Sequence, residues 1–415
     1  MVITSRNIKS AIYGIVAFLI IFNPPISKSI SFTTMFVVIS FFYCLLNINT
    51  CIYLFRNSRI RKFVLGIFSI LIYSLFLFLF NYSFGNKIEL AITNLKELIT
   101  NNISLLVLSI GITVFLLKNK ASFKDFIDST IIAGVLQSII GLFCLASPSI
   151  KYALNTIMSA NSRSSKIASS VRFTSGYRNF GFASSLYDIF GLTMSIIALV
   201  ALIQAVNGKK KYYLYASLIA AAALLNARTS LIILAFGVVI IYFTSQNGSS
   251  KGIITKFISF LFLAVISFFL MTIFLRFETE YSSWFAGGFE EIKSLLIEHQ
   301  YVGYFDALFN KFIFFPDSFI QLLFGTGLAP AQAIRNSDVG YIQNIWQFGI
   351  IGSLIIYRVY FNLFSGKTID NNYSVIALAL IVSIAVYLIK LNCLGYSMAS
   401  VIFVPMVFCH EVLEE

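Results

Sequence analysis

LIAAAALLNARTSLIILAFGVVII, residues 218–241, decides the fold. Two apolar segments stand back to back, separated only by Asn226-Ala227-Arg228. With no room for a solvated connection, they read as two helices in a bilayer, where each backbone must bond within itself. An arginine in such a turn costs roughly 2.5–3.5 kcal/mol at the bilayer centre and less near the surface. It therefore either faces a polar cavity and a partner or snorkels to the head groups.

Apolar runs recur from end to end. The chain of 415 residues is 58% hydrophobic and 11% charged, whereas a soluble protein carries about 25% charged residues. About twelve transmembrane helices are expected. They lie near 8–22, 30–48, 63–82, 103–118, 126–147, 182–206, 212–226, 229–245, 257–275, 345–363, 373–390 and 396–410. The fold class is thus an all-α polytopic integral membrane protein, a single helical domain over 1–415. A transmembrane barrel would show short alternating segments instead. Arg6 and Lys9 before an apolar run imitate a signal peptide, but Asn23-Pro24-Pro25 follows it, so it reads as an uncleaved first span. The five cysteines have no metal or redox spacing.

The net charge is +13. With the N-terminus inside, the clusters Arg56/Arg59/Arg61/Lys62, Lys118/Lys120/Lys124, Lys209/Lys210/Lys211, Lys251/Lys256 and Arg358/Lys367 fall in short cytoplasmic turns. The C-terminus falls inside as well. This bias, together with anionic membrane lipids, accounts for the basic balance. No basic domain stands apart from the spans, so no nucleic acid is expected as a partner.

Arg172, Arg178, Arg228, Arg276 and Arg335 fall on the opposite, outer side. Two long outer loops, 148–181 and 276–341, hold all of these but Arg228. The positive-inside bias would remove them from there. Guanidinium groups retained on that side point to an anion such as phosphate or pyrophosphate.

Four constellations carry the chemistry. Arg172 and Arg178 flank Gly176 just before a span, with Tyr177, Phe180 and Phe182 able to stack on a sugar or to anchor at the interface. Arg228 sits in the tight turn described above. Arg276 either neutralises phosphate or pairs with Glu280 at helical i, i+4 spacing. Finally, Leu323-Phe324-Gly325-Thr326-Gly327-Leu328 precedes Ser337-Asp338-Val339-Gly340-Tyr341 and a span holding Gly349 and Gly352. Asp338 there is either a general base toward a sugar hydroxyl or, with Ser337, a simple helix N-cap. Within 276–341, Phe289, Ile292, Leu295 and Leu296 predict an amphipathic helix, lying on the membrane or packed on the spans. Pro316-Asp317-Ser318 marks a helix start and Gly325-Thr326-Gly327 a stop.

Asp188 reads as a charge six residues into the sixth span. His299 reads as a surface residue, and His410 is assigned no role. No HExxH, paired-carboxylate, Walker or cysteine-cluster motif occurs, so no metal and no nucleotide cofactor is indicated.

At these residues the chain resembles the O-antigen polymerase (Wzy) and O-antigen ligase superfamily of bacterial envelope glycosyltransferases. The features that match are the arginine–glycine loop from Arg172 to Gly181, the turn from Asn226 to Ser230, Arg276, and the run from Leu323 to Gly352. The resemblance implies a GT-C-like membrane architecture in the bacterial inner membrane. It implies transfer of a growing glycan from undecaprenyl pyrophosphate to the non-reducing end of an undecaprenyl-pyrophosphate-linked repeat unit on the periplasmic side. Arg172, Arg178, Arg228 and Arg276 would bind pyrophosphate, with Asp338 and Arg276 catalytic. Tyr177, Trp284 and Tyr341 would contact glycan, and a polysaccharide chain-length regulator would be a partner. Ligases of the superfamily carry a histidine near the position of Asp338 and this chain does not, which favours polymerase. Many polymerases have an arginine after a serine pair in the large loop; here Ser282-Ser283 leads to Trp284, and Arg335 would stand in. A lipid-linked oligosaccharide flippase and the sister ligase are the competing functions. A flippase would carry charges near the middle of its spans.

Overall fold

The computed structural model describes residues 5–27, 30–82, 88–158, 181–183, 187–244, 286–288, 290–291, 293–329, 337–365, 371–395 and 397–413. Among them the regular structure is helical, apart from one isolated bridge between Pro25 and Ser31. The first seven helices are α1 (Ser5–Phe22), α2 (Phe32–Leu46), α3 (Ile48–Arg56), α4 (Ser58–Tyr82), α5 (Ile88–Lys118), α6 (Phe123–Ala146) and α7 (Pro148–Met158). Then come α8 (Tyr187–Val206), α9 (Lys211–Asn226), α10 (Thr229–Thr244), the short α11 (Tyr304–Ala307) and α12 (Phe319–Phe324). The last three are α13 (Gly340–Phe364), α14 (Asn371–Tyr387) and α15 (Ser400–Leu413).

Five of these, α4, α5, α6, α8 and α13, are long and apolar enough to cross a membrane. A sixth is added if α2 and α3, bent by 91° at Asn47, form one span. The protein is therefore a membrane-embedded helical protein. Every expected span on described residues is occupied by helix, while 257–275 lies outside them. Several are short. The 16 residues each of α9 and α10 rise about 24 Å at 1.5 Å per residue, less than a hydrocarbon core of about 30 Å.

α8 is the axis of the bundle. Its most apolar window is 83% buried, against 33–44% for the other long helices. It packs on α6, α9, α10 and α14. Being apolar nearly all round, from Ile189 to Ala205, suits a helix enclosed by others. Gly191 and Gly237 permit this closeness: a Cβ at Gly191 would meet Ser230 Oγ at 2.6 Å, and one at Gly237 would strike Leu199. On the periphery, α2 and α4 leave Val38, Phe42, Leu65, Phe68, Ile72 and Leu79 exposed, as helices facing lipid do.

α13 is broken at Gly349, whose φ of 68° and ψ of −178° end the helical hydrogen-bond ladder there. The carbonyls released are taken up by Thr326 and Gly327, just after α12, and by the Tyr73 hydroxyl. Thr326 N donates to Trp346 O at 2.9 Å, and Gly327 N to Gln347 O at 2.9 Å. The Tyr73 hydroxyl lies 2.8 Å from Phe324 O and 3.0 Å from Phe348 O. Asn94 of α5 donates to Gly327 O at 2.6 Å. Gly325, itself at φ 95°, faces Gly349 so closely that a Cβ on either would strike the other's backbone neighbourhood. The helix start and stop expected around Ser318 and Gly325 are thus those of α12, and the Leu323–Leu328 motif braces a kink.

The expected loop helix is present in part: residues 286–288, 290–291 and 293 are helical, and Ser294–Glu298 forms a π-turn. Leu296 and Ile297 are exposed. His299 closes that turn with φ 54° and is exposed, a surface residue as expected.

Candidate functional site

The site forms where the ends of α8, α9, α10, α13 and α14 meet the 286–312 segment. The connection between α9 and α10 is a true break. Asn226 ends α9, Ala227 is extended (φ −148°, ψ 123°), and Thr229 begins α10. Asn226 is buried and its side-chain amide donates to Ala222 O at 2.8 Å, which satisfies the helix end internally. Arg228 is left to point out of the turn with 35% of its side chain exposed. Its Nη1 lies 3.9 Å from Glu291 Oε2. A Cβ on Gly288 would sit 2.7 Å from Arg228 Nη1 and 3.0 Å from its Cδ. The guanidinium therefore lies against bare backbone at Gly288, with Glu291 beside it. Glu291 is thus a carboxylate partner of Arg228 in this turn.

The second centre lies at the start of α13. Asp338 Oδ2 is 3.7 Å from Lys390 Nζ, and that ammonium sits 3.9 Å above the Tyr304 ring. Lys390 is 19% exposed and Asp338 38%. Their approach is enforced by backbone. A Cβ on Gly340 would meet Leu391 and Asn392 main-chain atoms at 2.6–2.7 Å, so only glycine lets that connection cross the helix start. Tyr341 N donates to Leu388 O at 3.1 Å, and Asn392 Nδ2 to Asn344 Oδ1 at 2.8 Å. Neither Ser337 nor Asp338 is the N-cap; Val339 holds that position, with no side-chain cap bond. Ser337 Oγ instead donates to Phe312 O at 2.7 Å, tying the long loop to α13. Asp338 is left facing Lys390.

Tyr304 belongs to this second centre. Burial raises its phenol well above the ordinary tyrosine range, and the carboxylates of Asp338 and then Asp188 push the same way. Its hydroxyl is buried and has no hydrogen-bond partner among the described residues. Asp188 lies in the first described turn of α8, at one end of the apolar span Asp188–Val206. Asp188 also precedes Gly191, which touches Ala227 and Ser230, by one helical turn. The start of α8 thus touches the Arg228 turn at Gly191, and its Asp188 carboxylate acts electrostatically on Tyr304.

Tyr341 is placed between helices. Its hydroxyl donates to Ala385 O at 3.0 Å and its ring packs edge-on against Tyr357. Arg172, Tyr177, Arg178, Arg276, Trp284 and Arg335 lie outside the described residues. Sequence reasoning missed Lys390, Tyr304 and Glu291. For Lys390 a signal existed: in the expected topology it is the cation that ends the span near 373–390 on the outer side, where the positive-inside bias disfavours it.

Chemically, the site offers two cations, Arg228 and Lys390, each with a carboxylate beside it, and a neutral phenol with an unspent hydrogen bond. Such a set can hold an anion and accept a proton from a hydroxyl nearby. Among the described residues no group of His, Cys, Asp and Glu is arranged to hold a metal ion. No protein-family model, curated protein or solved structure matches this chain.

Proposed function

We propose that this chain is a membrane-embedded, metal-independent glycosyltransferase of the O-antigen polymerase type. It transfers a growing glycan from undecaprenyl pyrophosphate to the non-reducing end of a lipid-linked repeat unit. The observation that carries this reading is the Lys390–Asp338–Tyr304 cluster, joined through α8 to the Arg228 turn, at one end of an apolar bundle.

The reaction breaks the bond between the anomeric carbon and the pyrophosphate oxygen and forms one to the acceptor oxygen. Negative charge grows on the departing pyrophosphate, and fixed cations in a water-poor cleft stabilise it far more than they would in water. Arg228 and Lys390 serve that purpose, with Arg172, Arg178 and Arg276 as further pyrophosphate ligands. Asp338 takes the acceptor hydroxyl's proton, and Tyr304 donates a hydrogen bond as a neutral phenol. Trp284, Tyr177 and Tyr341 belong to the glycan side. The chain sits in the bacterial inner membrane with twelve spans in a GT-C-like arrangement, both termini cytoplasmic and the site periplasmic. A chain-length regulator is its partner.

The test is a lipopolysaccharide gel of a deletion strain with and without the plasmid-borne gene. Polymerase predicts core bearing a single repeat unit, restored to a ladder by the plasmid. Core alone would instead select ligase or flippase. Undecaprenyl-linked polymer on the periplasmic side would then mark the former, and monomeric intermediate on the cytoplasmic side the latter.

A further inference from the structure

A cavity of about 700 Å³ opens between α4 and α13 at the end of the bundle away from Lys390. Its position follows from the helix directions: Ser58 begins α4 and Ser365 follows α13 there, whereas Asp338 precedes α13 at the other end. Three cations line it, Arg59 and Lys62 from α4 and Arg358 from α13. Arg59 is bound to Glu411 at 2.5 Å. Lys62 and Arg358 are exposed and form no ion pair with a described residue.

Ser58, Ser69, Asn362 and Ser365 add polar groups to the lining, and the rest of it is apolar. Its floor is Gly66, Ile355 and Val359, and a Cβ on Gly66 would meet Val359 Cγ2 at 2.7 Å, so the two helices close the floor tightly. Leu65 and Leu354 flank it, each 61% exposed, and Phe68 is 51% exposed. The opening is therefore on a face that meets lipid. Lys62 lies four residues from the start of α4 (62 − 58) and Arg358 six from the end of α13 (364 − 358). At 1.5 Å per residue these are depths of about 6 and 9 Å from the helix ends, the level of phospholipid head groups.

A basic mouth, an apolar floor and an opening to the bilayer match one class of molecule. We propose that this groove binds one anionic glycerophospholipid, its phosphate at Lys62 and Arg358 and an acyl chain along Gly66, Ile355 and Val359. Cations that merely snorkel from isolated helices would not converge from two helices on a single recess. A free phosphate ion would have no use for the apolar floor. The proposal rests on the membrane character of the chain and is independent of the glycosyltransferase reading.

The experiment is native mass spectrometry of the purified full-length protein, stripped of lipid and titrated with phosphatidylglycerol, phosphatidylcholine or inorganic phosphate. The expected result is one phosphatidylglycerol adduct formed in clear preference to phosphatidylcholine, with inorganic phosphate neither binding nor competing. The double variant Lys62→Gln/Arg358→Gln should bind phosphatidylglycerol roughly 25-fold more weakly, as two cations near a lipid surface imply. Lys210→Gln, which changes a cation outside the groove, should bind like the wild type. Equal binding of the two lipids by the wild-type protein would overturn the proposal without reference to any variant. So would an unchanged affinity in the double variant, or phosphate alone displacing the lipid.

Discussion

The ammonium of Lys390, in the connection after α14, stands 3.7 Å from the carboxylate of Asp338, which immediately precedes the start of α13. Gly340 lets the two chain segments cross, and the Asn344–Asn392 bond holds them in register. A cation and a carboxylate held together at the end of an apolar bundle, with a buried phenol on the same ammonium, form the centre of the reaction proposed above.

Lys390→Ala removes a fixed positive charge that the departing pyrophosphate needs. Polymer formation should fall about 10²–10³-fold, with Lys390→Arg retaining more of it. The Lys390–Asp338 pair is partly exposed and contributes less than about 1 kcal/mol to folding. The purified variant should therefore elute and unfold like the wild type while its polymerisation rate collapses. A variant with the wild-type rate would remove Lys390 from the reaction.

Gly288→Ala tests how Arg228 is held. The new methyl would occupy the space of the far end of a flexible side chain, not of backbone, so folding should survive. Displacing the guanidinium should lower the rate about 10–100-fold. Arg228→Ala should be at least as damaging, and combining the two should add little, because both act on one group. Full additivity in that double variant would contradict the arrangement.

Tyr304 predicts a pH behaviour with a definite sign. Its phenol is raised above the ordinary 10.0 by burial first and by Asp338 and Asp188 next. The folded protein thus holds this proton more firmly than the unfolded chain. The stability linked to it is complete below about pH 10 and declines as the pH rises beyond that toward the folded value. At working pH the group remains a neutral donor. Tyr304→Phe should lower the rate about tenfold, the worth of one neutral hydrogen bond, without changing the shape of the rate–pH curve between about pH 6 and 9. An alkaline limb in that range that vanishes with phenylalanine would contradict the assignment.

Gly349→Ala tests the brace between α12 and α13. The position combines a left-handed φ with main-chain atoms of Leu323 and Gly325 where a Cβ would go. Neither can retreat without breaking the bonds from Thr326 and Gly327 to Trp346 and Gln347. A loss of about 2–4 kcal/mol is expected, read as an earlier thermal unfolding midpoint in detergent. Gly208→Ala, where no atom lies within 4 Å, is the comparison and should cost much less.

The helices were legible because apolar runs in a membrane chain have few alternatives to helix. The Asn226–Arg228 break was legible because no solvated loop fits there. The bounds of α12 followed from Ser318 and Gly325. What stayed hidden depends on contacts across the chain. Gly349 looks like any small residue in a span, and its break is sustained because Thr326, Gly327 and Tyr73 donate hydrogen bonds to the carbonyls it releases. The 91° bend at Asn47 vanishes in an average over a window. Lys390 was masked by belonging to the end of an apolar run, and nothing local to Tyr304 or Glu291 announces their partners.

The most direct test of the central claim uses the purified full-length protein in liposomes containing undecaprenyl-pyrophosphate-linked repeat units, without nucleotide and with a chelator present. The account predicts a ladder of lipid-linked glycan with release of undecaprenyl pyrophosphate, and neither from the Lys390→Ala protein. Repeat units left unchanged by folded wild-type protein under these conditions would contradict it.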